Sequence, residues 1–311
     1  MASKSAQDDV LNVTLIGAGT IGLSFAAFHL SHLSSNSKLT ILDTREDLKE
    51  HITSTLPSYL PEQLHHLVSS VILSNDLPSA VSDANIIQES GPENLDFKAK
   101  LWPQVEQYAP ADALLWSSTS GIPASSQAKE MKDTSRLLVV HPYNPPHVMP
   151  LLEVVPSPGV TSESVVQRTL DFWKARGREP VVLKKECTGF VANRLAFVLL
   201  REAIHLVKEG VVSVEELDTI VTNSMGPRWA VAGPFKSYTA GGGKGGLEAF
   251  FANIGGTVQD CWNNAGSPNV GESWQGAVFS QSKDAYDVVD TAERDRVTAA
   301  VLDVTKAQRQ Q

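Results

Sequence analysis

The run Val13-Thr-Leu-Ile-Gly17-Ala-Gly19-Thr20-Ile21-Gly22 constrains this chain more than any other stretch. Its three glycines, spaced G-x-G-x-x-G, follow a β-branched apolar segment directly and open a helix-periodic one directly. Each glycine has a mechanical task. Gly17 turns the chain tightly, Gly19 lets the backbone approach a pyrophosphate, and Gly22 lets the helix sit close on the strand. Free N–H groups at the start of that helix then face the phosphates. Asp43 follows at the end of the next strand, residues 38–42, where a carboxylate accepts from both hydroxyls of a ribose and repels a 2′-phosphate. A dinucleotide is expected, NAD ahead of NADP. Arg45, two residues on, keeps NADP open as the alternative.

The surroundings of the loop extend that reading. Apolar β-branched runs at 10–16, 38–42, 71–74, 85–88, 113–117 and 136–140 alternate with helical patterns at 20–33, 45–52, 61–69, 97–108 and 124–131. This is the βαβ alternation of a parallel sheet covered by helices. Runs at 151–155 and 180–183, flanking a helix at 163–176, extend the same sheet. After about Lys185 the pattern becomes helical throughout, over 190–210, 214–225, 247–254 and 285–306. The fold class predicted is α/β, a Rossmann-type doubly wound N-terminal domain at 8–185 followed by an all-α domain at 186–311. The second domain is expected to supply dimer contacts and one wall of the site.

Composition excludes several classes. The formal net charge of −9, with no basic block, argues against nucleic acid as the main partner. No apolar run approaches the roughly 18 residues that a membrane span needs. The start, Met1-Ala-Ser-Lys-Ser-Ala-Gln-Asp-Asp9, has no apolar stretch suited to a signal peptide, so a cytoplasmic enzyme is expected, with a peroxisome or organelle matrix as alternatives. Cys187 and Cys261 make no disulfide framework and lack metal-ligand spacing, so no metal is expected.

A dehydrogenase acting on an alcohol needs a group to take the hydroxyl proton, and neutral histidine suits that task near pH 7. Of the eight histidines, only His141 lies at the carboxyl end of an expected parallel strand, where open α/β sheets keep their ligand crevice. It opens His141-Pro-Tyr-Asn144-Pro-Pro-His-Val-Met-Pro-Leu-Leu-Glu153. Two strands joined by that proline-rich turn bring Glu153 back beside His141, where a carboxylate fixes the imidazole tautomer. From spacing alone, a histidine capping a strand and an unrelated surface acid is an equal alternative.

Taken together, these residues resemble the 3-hydroxyacyl-CoA dehydrogenase family, in particular its lambda-crystallin branch, which includes L-gulonate 3-dehydrogenase and is related to L-carnitine dehydrogenase. The resemblance runs from about Asn12 to Gly256 in matching order. It rests on Gly17-Ala-Gly-Thr-Ile-Gly22, Glu93-Asn-Leu-Asp-Phe-Lys98, Ser117-Ser-Thr-Ser120, His141-Pro-Tyr-Asn-Pro-Pro146 with Glu153, Gly189-Phe-Val-Ala-Asn-Arg194 and Gly226-Pro-Arg-Trp-Ala-Val-Ala-Gly-Pro234. It implies that His141 is the catalytic base and Glu153 its partner. It implies that Ser120 contacts the substrate oxygen, that Asn193 reaches across the cleft to the substrate, and that Asn144 is a further site asparagine. Thr20 and Ile21 match loop positions over the pyrophosphate, while Glu93 and Lys98 match positions at the ribose or nicotinamide end. A homodimer is also implied.

The chain departs from the family pattern in two places. CoA-using members often carry Ser-Asn-Thr-Ser where this chain has Ser117-Ser118-Thr119-Ser120. They commonly have a lysine-rich hairpin after the second strand, whereas residues 45–71 here offer only Arg45 and Lys49 against Glu46, Asp47, Glu50 and Glu62. The expected substrate is a small 3-hydroxy acid such as L-gulonate or a carnitine-like molecule. A hydroxyacyl thioester and a non-catalytic NAD-binding structural protein are the competing readings. The glycine patch 241–246 fails the P-loop template and reads as a hinge, with Lys244 left as a candidate contact to an anion.

Overall fold

A computed structural model describes residues 10–286 and 288–309, and eight strands between Asn12 and Val182 form one sheet. The polar start at residues 1–9 lies outside the described residues. In chain order the elements are β1 (Asn12–Ile16), α1 (Thr20–Leu30), β2 (Lys38–Leu42), α2 (Leu48–Thr55), β3 (Ile72–Ser74), α3 (Leu77–Val81), β4 (Ile86–Glu89), α4 (Leu95–Tyr108), β5 (Leu114–Ser117), α5 (Ala124–Gln127), β6 (Leu137–Pro142), β7 (Leu151–Val155), α6 (Glu163–Ala175) and β8 (Glu179–Val182). The strand order is β3-β2-β1-β4-β5-β6-β7-β8. Every neighbouring pair is parallel except β6 and β7. The order reverses between β1 and β4, which places the Gly17–Gly22 loop at the switch point where such sheets bind ligands.

The strands read as continuous apolar runs because both faces of the sheet are covered. Leu138 and Val140 join one cluster, with Leu15, Phe25, Ile41, Trp116 and Trp173. Their neighbours Leu137 and Val139 join the other, with Ile16, Ile87, Trp102, Leu115 and Phe190. The period-2 alternation along β6 thus divides one strand between two cores.

The chain divides into two compact units, the first ending at Arg194 and the second beginning at Leu195. A long helix, α7 (Ala192–Lys208), starts within the first unit. The second unit continues as helices only: α8 (Val214–Thr222), α9 (Met225–Val231), α10 (Pro234–Gly241), α11 (Gly246–Asn264), α12 (Trp274–Tyr286) and α13 (Thr291–Arg309). A full capping box starts α8, with Ser213 and Glu216 each bonding the other's backbone N–H.

Some expectations change. The segment expected as a helix at 61–69 is a tight 3-10 turn, Glu62–Ser70. The helix at 124–131 stops at Gln127. The helix expected over 285–306 starts later, as α13 at Thr291, and α12 before it was not expected. Asp290 separates them, its side chain accepting from the N–H of Ala292 and Glu293 and capping the second helix. The short helices α3, α9 and α10 escaped the sequence pattern because each is too brief to show a helical period. Among the described residues no helix is long and apolar enough to cross a membrane, and no cluster of His, Cys, Asp or Glu is placed to hold a metal ion.

Candidate active site

The glycine loop has the shape its spacing predicts. Gly17 takes a φ of +105°, and a Cβ there would lie 2.8 Å from the Ser90 carbonyl oxygen. A Cβ on Gly22 would lie 1.9 Å from the Gly17 carbonyl oxygen, so the helix packs on the turn at a distance no side chain permits. Around Gly19 the corresponding position is open, with nothing within 4 Å. The first turn of α1 carries no side-chain cap, so its N–H groups stand free at that open face beside Thr20 and Ile21. Asp43 accepts from the N–H of Ala18 at 2.7 Å and of Arg45 at 2.9 Å, which fixes its carboxylate beside the loop. Arg45 turns its guanidinium away onto Asp47, at 2.7 and 3.3 Å. These residues fit NAD: an uncapped helix start and an open glycine face for the pyrophosphate, an oriented carboxylate for a ribose, and an Arg45 turned onto Asp47 instead of toward that carboxylate.

At the carboxyl end of β6, His141 lies directly opposite Glu153 in the antiparallel ladder with β7. Residues paired in this way present their side chains on the same face. His141 Nδ1 donates to Glu153 Oε2 at 2.8 Å, and both residues are nearly inaccessible, at 4% and 3%. Among the described residues Nε2 has no hydrogen-bond partner, which leaves its lone pair for an incoming proton. The other carboxylate oxygen accepts from the N–H of Val191 at 2.8 Å and of Ala192 at 3.0 Å, at the start of α7. Burial pushes the Glu153 carboxyl upward, but the hydrogen bonds from His141, Ala192 and Val191 outweigh it and hold the group below the usual carboxylate range. Gly189 and Phe190 both take positive φ, 73° and 51°, and turn the chain so that these amides meet Glu153. Phe190 is wholly buried, its ring centroid 5.1 Å from that of His141, and that packing offsets the strain of a non-glycine residue in the left-handed region.

Ser120 is exposed just past β5, and its hydroxyl makes no hydrogen bond among the described residues. Its carbonyl accepts from Asn193 Nδ2 at 3.3 Å, so these two candidates meet through the serine backbone. Glu93 Oε1 accepts from Thr119 Oγ1 at 2.5 Å, from Ser120 N at 3.0 Å and from Gly121 N at 3.1 Å. Asn144 is exposed in the loop between β6 and β7, before a cis bond to Pro145. Lys98, expected at the cofactor, is only 1% accessible, with its ammonium 2.7 and 2.8 Å from the two oxygens of Glu89. Glu89 escaped the sequence reading, which ended that strand at Gln88. The available signal was a carboxylate directly after the strand run ending Ile86-Ile87-Gln88, with a lysine on the helix that follows.

Against this geometry, the N-terminal NAD-binding model of the 3-hydroxyacyl-CoA dehydrogenases matches residues 12–187, and the C-terminal model of the same enzymes matches residues 189–265. The chain belongs to the 3-hydroxyacyl-CoA dehydrogenase family. It is 34% identical over 317 residues to an L-carnitine dehydrogenase of Streptomyces griseus subsp. griseus, covering 98% of this chain and 92% of that one. It is 39% identical over 248 residues to a 3-hydroxyacyl-CoA dehydrogenase of Gibberella moniliformis, covering 78% and 76%. Among solved structures it resembles an NAD-dependent 5-formyl-3-hydroxy-2-methylpyridine 4-carboxylic acid 5-dehydrogenase, with a TM-score of 0.77, 26% identity and coverage of 96% and 99%.

As a member of this family, the chain is an NAD-dependent oxidoreductase acting on CH–OH groups.

Proposed function

We propose that this dehydrogenase interconverts a small free 3-hydroxy carboxylic acid, of the L-gulonate or L-carnitine type, and its 3-oxo form. The observation that carries the chemistry is the His141–Glu153 pair, one imidazole nitrogen held by a buried carboxylate and the other left open. When bound, NAD supplies the acceptor for the hydride leaving C3. His141 Nε2 takes the hydroxyl proton as the hydride departs. Glu153 holds the tautomer and stabilises the imidazolium that forms. The Ser120 hydroxyl and the Asn193 amide orient the substrate oxygen, with Asn144 beside them. Asp43, Thr20, Ile21 and the three glycines hold the cofactor, with Glu93 facing its nicotinamide half and Lys98 behind it.

Two observations favour a free acid. In the segment after β2, where a CoA diphosphate and 3′-phosphate need cations, Arg45 is already paired with Asp47, and Glu46, Asp47, Glu50 and Lys49 share one acidic surface. Several of the relatives that span most of the chain are named L-carnitine dehydrogenase. The similarity to the Gibberella moniliformis enzyme is what keeps a thioester as the second reading. Initial rates with L-gulonate, L-carnitine and 3-hydroxybutyryl-CoA, each with NAD and NADP, test this. A free acid with NAD is expected to give the highest kcat/KM, and a strong preference for the CoA ester overturns the substrate assignment.

We also assign the NAD-binding role to residues 8–185 and the substrate and dimer contacts to 186–311. The helical part exposes Leu195, Phe197, Val198 and Leu200 on α7, each more than half accessible, as a surface for a second copy of the chain.

A further inference from the structure

Glu89 closes β4 wholly buried, on the same face of the sheet as His141, and every hydrogen-bonding direction of its carboxylate is used. Oε1 accepts from Gly91 N at 2.7 Å and from Lys98 Nζ at 2.7 Å. Oε2 accepts from Ser117 Oγ at 2.9 Å and from Lys98 Nζ at 2.8 Å. A Cβ on Gly91 would meet the Phe97 ring at 2.7 Å, so a larger residue there would have to displace that ring. Lys98 also faces Glu93 Oε2, at 3.9 Å.

The two carboxylates together fix the strand end that carries Ser120. Glu89 holds Ser117 by its side chain and the Ser118 N–H by its carbonyl, at 2.8 Å. Glu93 holds the Thr119 hydroxyl and the amides of Ser120 and Gly121. Lys98 is the tie between the two acids. Without Glu89, its buried ammonium has one carboxylate left, that of Glu93, and moving toward it would pull Glu93 off the Ser120 turn. We propose that Glu89 is a positioning residue for the reaction, acting directly on Ser117 and Ser118 and, through Lys98, on Glu93 to set the place of Ser120. This rests on the reading of Ser120 given above.

Because removing one member of a buried ion pair leaves an uncompensated charge, the decisive variant removes both, Glu89→Gln with Lys98→Met. It is compared with Ser120→Ala and the wild type using whichever of L-carnitine, L-gulonate and 3-hydroxybutyryl-CoA turns over best. The readouts are kcat, KM, the primary deuterium isotope effect at the reacting carbon, and NADH affinity by fluorescence. The double variant is expected to bind NADH normally and to lose about 10- to 100-fold in kcat, since small misplacements cost that much. Its isotope effect should rise as hydride transfer becomes limiting. A folded double variant with the kcat and isotope effect of the wild type overturns the proposal. If Ser120→Ala loses activity while the double variant does not, only the positioning role of Glu89 fails. If Ser120→Ala is fully active, the role of Ser120 fails and the positioning role with it. Should the double variant not fold, Ser117→Ala removes one anchor and leaves the ion pair intact. A several-fold fall in kcat with a raised isotope effect supports the proposal, and wild-type kinetics overturn it.

Discussion

Glu153 meets His141 through one carboxylate oxygen, at 2.8 Å, and keeps its other oxygen on the amides that begin α7. The imidazole orientation is therefore tied to the place where the long helix starts, and the pair is expected to act as one unit. His141→Ala should lower kcat by about 10²–10⁴, the usual cost of a positioned general base, with NADH affinity unchanged. Glu153→Gln should fall in a similar range, and the double variant should be scarcely worse than the worse single one. Steady-state rates on the three proteins check this, and multiplicative losses would mean that the two residues act independently.

The carboxylate of Asp43 should set cofactor choice. Asp43→Asn keeps an acceptor for the Ala18 or Arg45 amide but removes the charge. A hydrogen bond to a charged group contributes about 1.5–3 kcal/mol, so the ratio of NAD to NADP affinity should drop by about tenfold or more. Titration of both reduced cofactors by fluorescence measures the ratio directly.

His29 should give the protein a pH-dependent stability unrelated to catalysis. Burial among Phe25, Phe28, Phe172 and Trp173 lowers its pKa from 6.5 to about 3, despite the hydrogen bond to Gln88. A group whose folded pKa is depressed contributes stability that is complete above its unfolded pKa and is lost as pH falls toward the folded value. Here the loss begins near 6.5 and continues toward 3, at up to about 1.4 kcal/mol per pH unit. His32, also lowered by burial, adds to the same slope. Carboxylates such as Glu153 enter only nearer pH 4. Urea unfolding between pH 6.5 and 5 should show this slope, and His29→Phe should flatten most of it.

The apolar surface of α7 should mark the contact between copies. Phe197→Glu places a charge among Leu195, Val198 and Leu200, which share its exposure. If that surface is the interface, light scattering after size exclusion should show a dimer for the wild type and a monomer for the variant. An unchanged mass would move the interface elsewhere.

How much of this was legible follows from what burial does to a pattern. β2 and β7 stand at the bounds their apolar runs predict, because a strand covered on both faces announces itself without needing alternation. The glycine loop was legible because backbone shape leaves few residue choices. By contrast, α1 is buried from Gly22 to Leu30, so no polar stripe marks which side faces water, and His29 could not be told from a surface histidine. Glu89 and Lys98 look like two ordinary surface charges nine residues apart. Only the path of β4 into α4 turns them toward each other inside the protein. Nor does the sequence show that the charge of Lys98 meets a carboxylate inside the protein.

The β6–β7 hairpin carries a consequence for ancestry. His141 and Glu153 stand 12 positions apart on adjoining strands, whereas the Ser120 and Asn193 that meet beside them are 73 apart. In the proposed chemistry the proton-handling pair thus comes from one short hairpin, anchored outside it by the amides of Val191 and Ala192. The residues assigned to recognition are scattered along the chain, where drift can alter them singly. In that reading a single substitution at Ser120 or Asn193 changes which hydroxy compound is held and leaves the hairpin that moves the proton as it was.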